Sequence, residues 1–351
     1  MALKERIATL RRRLPRPKLP RPKLPRVPRV PGGLRPWIAL ASLGFVLAAL
    51  VSHGRQLLQL SLDPQGWLWL GLGVGVTLLS LVVNALAQGA VLRWLGARPR
   101  WEALVVLYVS TNLRKYLPGG IWHIASRVQA FRSPSAPLHA PLSTARALLA
   151  ALLDPLLAAV AALALVPLGG WQNGLALLCL LPLGLLVPHW LDPLLLWMER
   201  RRARELGLVA ELEGSGGAPG EGIGGRWPVL PLLAELVFVL IRFGGFACCV
   251  MAFELQHALD APLWLAGFAL AWTAGLVVPG APGGLGVFEA VLLLRLGVAL
   301  PEAPLLAVAL SYRVVATLAD LLGAGLVALD ARLAGSARPP AVPSGGSGTS
   351  Q

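Results

Sequence analysis

Two short stretches of this 351-residue chain interrupt apolar segments with proline and paired glycines: YLPGGIW at 116–122 and PGAPGGLGVFE at 279–289. A broken helix leaves free backbone N–H groups at the start of the next helix, and such groups bind anions. Irregular backbone at membrane depth is tolerated only where protein or a wet cavity satisfies it. The breaks therefore predict a binding element for an anion, with a phosphate headgroup as the natural guest. Its backbone residues are Pro118, Gly119, Gly120, Pro282, Gly283 and Gly284.

Charged side chains stand near these breaks, inside segments that are otherwise apolar. An ionisable residue at mid-membrane costs at least ~2.5 kcal/mol on insertion scales, so it usually faces a cavity or a charged partner. The candidates for substrate contact are Arg114, Lys115, Asp154, Glu289, Arg313 and Asp320. Arg313 and Asp320 are seven residues apart and share one helix face. Arg242 and Arg295 are further cations within spans, and structural pairing between spans is the alternative for the whole set.

Several chemistries lack the residues they need. The five histidines form no metal-binding pattern, and no Ser/His/Asp or Cys/His set is arguable. Cys179, Cys248 and Cys249 all fall in apolar runs and fit no disulfide framework. The glycine-rich stretch 214–225 follows no strand and lacks the Lys-Ser/Thr of a phosphate loop. We therefore expect no catalytic residue, no metal and no cofactor.

The composition is that of a membrane protein. The chain is 56% hydrophobic and 14% charged, with a mean hydropathy of +0.68, whereas soluble domains are about a quarter charged. Runs long enough to cross a bilayer predict full spans at 36–52, 66–92, 143–167, 173–197, 227–255 and 303–330. Two further apolar regions, 101–131 and 262–299, contain the breaks and predict two short helices each.

These segments predict an all-α fold of six full spans and two re-entrant broken hairpins. With both hairpins re-entrant, one face receives 24 Lys/Arg and the other receives only Arg55. Because positive loops stay in the cytoplasm, both termini are expected there. The halves 36–167 and 173–330 then repeat the same order with opposite orientation, an architecture of transporters whose substrate site lies at mid-membrane.

Three polar segments flank or divide the membrane domain 36–330. Residues 1–35 hold twelve of the 31 Lys/Arg between alternating prolines, which favours an extended basic tail that binds anionic headgroups. Nucleic acid is not expected as a partner, because no aromatic residues interleave these arginines. Residues 198–226 form a cytoplasmic loop, and 331–351 a disordered tail. The oligomeric state is open, including a homo-oligomer.

Three stretches, NLRKYLPGGIWHIASRV, PGAPGGLGVFE and SYRVVATLADLLG, resemble the lysylphosphatidylglycerol synthase transmembrane-region family, over about residues 37–330. The positions that match the family motifs are Asn112, Pro118, Gly119, Trp122, Arg127, Asp154, Pro282, Gly283, Gly284, Gly286, Glu289 and Arg313. Many relatives place Glu-Arg shortly before the Asp, where this chain has Ala150 and Ala151. The resemblance implies a flippase-like protein of the bacterial plasma membrane, without the synthase domain.

The expected function is movement of an anionic or aminoacylated phospholipid, or of a polyprenyl-linked lipid, between leaflets. Arg313, Arg114 and Lys115 would neutralise the phosphate, and Glu289 and Asp154 would balance these cations or engage a positive headgroup. The alternatives are a membrane-embedded enzyme that modifies lipids, a secondary transporter of a small polar solute, and a scaffold that transports nothing.

Overall fold

The computed structural model describes residues 62–116, 122–134, 137–170, 174–206, 227–278 and 282–336. Within these ranges the chain is all-helical, apart from one isolated bridge between Pro99 and Leu138. The predicted all-α class is therefore confirmed for the described part. The predicted span 36–52 and the basic tail 1–35 lie outside the described residues.

Ten α-helices follow one another along the described chain. They are α1 (Pro64–Trp94), α2 (Trp101–Asn112), α3 (Trp122–Arg132), α4 (Thr144–Leu165), α5 (Leu175–Gly184), α6 (Pro188–Leu206), α7 (Val229–Ala252), α8 (Ala261–Val277), α9 (Val287–Leu296) and α10 (Glu302–Ser336). Three 3₁₀ turns adjoin them, at Leu113–Tyr116, Val166–Gly169 and Pro282–Gly284.

Four helices are long and apolar enough to cross a membrane, namely α1, α4 with its following turn, α7 and α10. They correspond to four of the six predicted spans. Asp63 caps the first of them, since its side chain accepts a hydrogen bond of 2.6 Å from the Gly66 N–H. The last helix continues to Ser336, so residues 331–336 are helical and do not belong to the predicted disordered tail.

Residues 173–197, which were predicted to form a full span, do not form one straight helix. Two helices, α5 and α6, cover this region and meet at an angle of 85°. The physical reason lies in the prolines, because the residue before a proline avoids the helical region and Pro188 begins the second helix. The second helix also reaches Leu206, so part of the predicted loop 198–226 is helical. Counted as one span, this bent pair would raise the number of candidate spans to five.

Both predicted breaks separate short helices that fold back on each other. In the first hairpin (residues 101–132), the Arg100 N–H donates to the Pro137 carbonyl at 2.7 Å, which joins the two ends. In the second hairpin (residues 261–296), a Cβ built on Gly267 would lie 2.8 Å from the Leu296 side chain. Gly275 lies beside Gly284 near the turn, so the two helices of this hairpin run antiparallel.

Each hairpin packs into its own apolar cluster. The first lies against α4, through residues such as Leu104, Phe131 and Leu153. The second lies against α7 and α10, where Phe246, Phe268, Phe288 and Tyr312 form mutual ring contacts with centroids 5.1–6.2 Å apart. Such aromatic pairs contribute about 0.5–1.5 kcal/mol each beyond burial. The clusters hold both hairpins against long helices, and thereby fix where their broken tips lie.

Candidate functional site

The tip of the first hairpin is tied to α10 through Asp320. This fully buried carboxylate accepts hydrogen bonds from Asn112 Nδ2 at 2.6 Å and from the Tyr116 hydroxyl at 2.7 Å. It also forms an ion pair of 2.6 Å with Lys115 Nζ. These three contacts to one carboxylate hold the 3₁₀ turn that follows α2 in place. Pro118, Gly119 and Gly120, the predicted backbone of this break, lie outside the described residues.

The tip of the second hairpin is tied to the same helix through Arg313. Its Nε donates to Glu289 Oε1 at 2.7 Å, its Nη2 to the Gly284 carbonyl at 2.6 Å, and its Nη1 to the Gly283 carbonyl. The other Glu289 oxygen accepts the Gly286 N–H at 2.7 Å and so caps α9. Glu289 therefore stabilises the start of α9, and Arg313 of α10 binds both Glu289 and the carbonyl groups of the break. Pro282 forms the first position of the 3₁₀ turn.

The glycines of this break are required by its backbone. Gly283, Gly284 and Gly286 have φ angles of +59°, +73° and +78°, a region that side chains other than glycine's rarely adopt. A Cβ on Gly284 would also lie 2.8 Å from the Gly275 backbone. The glycines of PGGLG are therefore required by the backbone conformation and, at Gly284, also by the close approach of the Gly275 backbone.

The two tips meet. A Cβ built on Gly283 would lie 2.9 Å from the Tyr116 ring, so the second break touches the residue that ends the first turn. Arg313 and Asp320 share a face of α10, as their spacing predicts, and each holds a different tip. One helix therefore positions both broken segments.

Asp154 of α4 lies at the side of this junction. Its Oδ2 accepts hydrogen bonds from the Tyr108 hydroxyl at 3.1 Å and from Arg127 Nη1 at 3.2 Å. The Arg127 guanidinium stacks 3.6 Å above the Tyr108 ring, a cation–π contact. Both charged residues are buried. This cluster joins the first hairpin to α4 just as Asp320 joins it to α10.

A cavity of about 280 Å³ lies where these groups converge. Among the predicted site residues, it is lined by Asn112, Lys115, Arg127, Asp154, Gly283, Gly284 and Arg313. Glu289 and Asp320 do not line the cavity themselves, but they form ion pairs with Arg313 and Lys115, which do. Its rim includes Leu276 and Val277, which are 42% and 64% exposed, so the cavity reaches the outside of the described structure.

Besides Glu289 and Asp320, four predicted residues of the described part do not line the cavity: Arg114, Trp122, Pro282 and Gly286. Arg114 is exposed, and its guanidinium donates to Ser126 within the first hairpin. Trp122 is 51% exposed at the start of α3. Gly286 serves as the cap position of α9. Arg146, whose spacing to Asp154 suggests a shared face, is exposed at the start of α4.

Arg242 belongs to the cavity wall, although its sequence position gave no reason to prefer it. It is 7% exposed, and its Nε donates to the Tyr312 hydroxyl at 2.9 Å and its Nη1 to Ser80 Oγ at 3.3 Å. Both partners are uncharged. Among the described residues, no carboxylate lies within ion-pair distance of Arg242. Lys115, Arg127 and Arg313, by contrast, each face one.

Sequence reasoning also missed the tyrosines and Glu235. The chain has three tyrosines, and all of them, Tyr108, Tyr116 and Tyr312, line the cavity and bond to a charged side chain. Their scarcity in so apolar a chain was the available signal, because a buried hydroxyl needs a partner. Glu235 of α7 is fully buried, and was hidden by its place near one end of a predicted span. Among the described residues, no group of three or more His, Cys, Asp or Glu could hold a metal.

The fold and the cavity define a class: an all-helical, multi-pass membrane protein with a charged internal cavity at the junction of two helix breaks. The sequence matches no family model and no curated protein.

Proposed function

We propose that this protein is an integral membrane translocase that moves an anionic amphiphile between leaflets, with the headgroup bound in the central cavity. The observation that carries the proposal is Arg242, a buried cation on the cavity wall whose partners are neutral hydroxyls. An intramembrane charge of this kind is costly unless something compensates it. Asp320, which is already paired with Lys115, acts on Arg242 only at longer range, so an anionic guest would give Arg242 a direct counter-charge.

The remaining wall suits a phosphate-bearing headgroup. Lys115, Arg127 and Arg313 each face a carboxylate and present further donors; the Arg127 Nε–H is buried and finds no acceptor in the described part of the chain. Arginine's planar fork matches phosphate oxygens in pairs. A phosphate between the two tips would meet donors from both hairpins and from α7.

The rim favours an amphiphile. Leu276 and Val277 are apolar, exposed and continuous with the cavity wall, so acyl chains could stay in lipid while the headgroup crosses. A transporter of a small anionic solute is the second candidate, because the cavity volume of about 280 Å³ suits a small guest. A lipid-modifying enzyme is less well supported, since both oxygens of Glu289 and of Asp320 already accept hydrogen bonds, whereas a general base must direct a lone pair at its substrate.

We also propose that the protein has six spans and two re-entrant hairpins arranged as an inverted repeat. This arrangement would place the two hairpin tips at mid-membrane, entering from opposite leaflets. The charge asymmetry of the loops supports cytoplasmic termini, and the motif resemblance supports a stand-alone, flippase-like relative of the lysylphosphatidylglycerol synthase membrane region in a bacterial plasma membrane. The guest would then be an anionic or aminoacylated phospholipid, or a polyprenyl-linked lipid.

Reconstituted liposomes test the proposal. Fluorescent phosphatidylglycerol or phosphatidylcholine is placed in both leaflets, and a membrane-impermeant reductant bleaches the outer one. We expect the protein to make the inner phosphatidylglycerol accessible. Arg242→Gln should slow this exchange by about tenfold or more, since a charge-assisted hydrogen bond contributes ~1.5–3 kcal/mol. Arg98→Gln, on an exposed loop, is the matched control. Protein-free rates for every anionic lipid tested, including an aminoacylated one, would refute the proposal.

A further inference from the structure

Glu235 and Asp154 form a pair of carboxyl groups inside the protein. Glu235 of α7 is 0% exposed and Asp154 of α4 is 3% exposed. The two helices pack against each other, and the two buried carboxyl groups interact electrostatically. Asp154 borders the central cavity, whereas Glu235 does not line it, so Glu235 is the inner member of the pair.

The donors around the pair are too few for two ionised groups. Asp154 Oδ2 receives Tyr108 and Arg127. Asp154 Oδ1 and both oxygens of Glu235 receive no hydrogen bond from any donor group in the described ranges. Ionised carboxylates only accept hydrogen bonds, so two of them cannot bond to each other. Two buried carboxyl groups that interact and lack donors in this way are stabilised when they share one proton.

The charge balance leads to the same conclusion. Arg127 forms an ion pair with Asp154, and no cation in the described part of the chain forms one with Glu235; an unpaired ionised carboxylate in such surroundings takes up a proton instead. We infer that Asp154 and Glu235 form a proton-binding site that holds one proton in this structure, and that, on the proposed function, the protein moves protons together with its anionic guest.

The surroundings of the pair identify what could compete for this proton. Titratable groups face it or its helices from the first hairpin, from α5, from α10 and from α7 itself: Tyr108, His123, Arg127, Cys179, Tyr312 and Arg242. α8 contains no titratable residue, and α6 contacts α4 through apolar side chains such as Leu191 and Ala203. From α1 the nearby polar groups are Asn84, which lines the cavity with Asp154, and Gln88, which donates to the Ala150 carbonyl at 2.9 Å. Arg127 is thus the cation in direct contact with the pair.

Arg127 connects the pair to the cavity, because it both lines the cavity and bonds Asp154. An anion that draws Arg127 toward itself leaves Asp154 without its counter-charge. The pair then binds a second proton from water, which converts the remaining carboxylate to a carboxylic acid. Release of the anion on the other side returns Arg127 to Asp154 and expels that proton. Anion and proton therefore favour each other's binding, and this linkage is reciprocal.

Infrared spectroscopy of the full-length protein tests the site without relying on transport. We expect a carbonyl band of a protonated carboxyl group at neutral pH, which shifts in D₂O. Glu235→Gln should remove this band, and Glu102→Gln, on an exposed position of α2, should keep it. A wild-type spectrum without a protonated carboxyl band, or a band that persists in both Glu235→Gln and Asp154→Asn, would overturn the inference.

Proteoliposomes test the coupling. With a pH-sensitive dye inside the vesicles, exchange of anionic lipid should carry protons with it. An acidic compartment on the donor side should speed lipid movement by about tenfold, within the usual range of coupling free energies. Glu235→Gln should abolish that acceleration. Lipid movement that ignores the pH gradient, or that follows sodium instead of protons, would overturn proton coupling while the proposed translocase stands. Absence of lipid movement would refute the translocase, and the infrared result would still decide the proton site.

Discussion

The ion pair between Glu289 and Arg313 should hold the second break closed, and its removal should be strongly asymmetric. Arg313→Gln leaves Glu289, which is 0% exposed, with a single donor, the Gly286 N–H. Breaking a buried pair in this way costs about 3–5 kcal/mol. Glu289→Gln leaves Arg313 with its two carbonyl acceptors, at Gly283 and Gly284, and with a side chain that is 22% exposed. We expect a smaller cost of about 1.5–3 kcal/mol.

The double variant separates the pair from its surroundings. Two glutamines at these positions can bond to each other, so the double variant should lose about 1–3 kcal/mol less than the sum of the single losses. The measurement is the free energy of unfolding of the purified protein in mixed micelles, titrated with SDS and followed by tryptophan fluorescence. Arg98→Gln should change it by less than ~0.5 kcal/mol. Additive single losses, or a costlier Glu289→Gln than Arg313→Gln, would refute this account.

Two further predictions concern the tips. Gly284→Ala should lower the free energy of unfolding by about 2 kcal/mol or more, because its φ is +73° and its Cβ would press on the Gly275 backbone; Gly71→Ala, at a helical position with open space, is the control, and equal effects of both would contradict the strain argument. Asp320→Asn should release Lys115 and accelerate amide hydrogen exchange in the turn 113–116 by about ten- to hundredfold, since charged hydrogen bonds contribute ~1.5–3 kcal/mol. Unchanged protection in that turn, measured by mass spectrometry, would show that Asp320 does not hold the tip.

The sequence predicted the breaks for a local reason. Proline or a glycine pair alone can lie inside a helix, as Pro155 and Gly244–Gly245 do. Proline followed directly by two glycines disfavours a helix much more strongly, and this combination predicted the positions of the two breaks. The spacing of Arg313 and Asp320 likewise fixed their shared face on α10, because a helix repeats about every seven residues. The bend within 173–197 could be missed because a hydropathy window averages over Pro182 and Pro188, and a continuous apolar run hides two short helices.

The partners of the charged residues could not be predicted in this way. Asp320 bonds to residues more than 200 positions earlier in the chain, and Arg242 reaches Ser80, 162 positions away. Glu235 became a candidate only when Asp154 was found beside it. No periodicity within a helix encodes which other helix will face it.

By itself, the sequence determined that the chain is apolar and helical, that helices break at the two PGG motifs, and that several charges lie within apolar segments, because these depend on local backbone limits and on residue type. Only the tertiary structure decided that the turn 113–116 and the second break meet beside α10, that Arg242 faces neutral hydroxyls, and that the helices bearing Asp154 and Glu235 pack together. Those outcomes depend on how distant helices pack, and side-chain contacts between them are set by shape and by the total balance of buried charge.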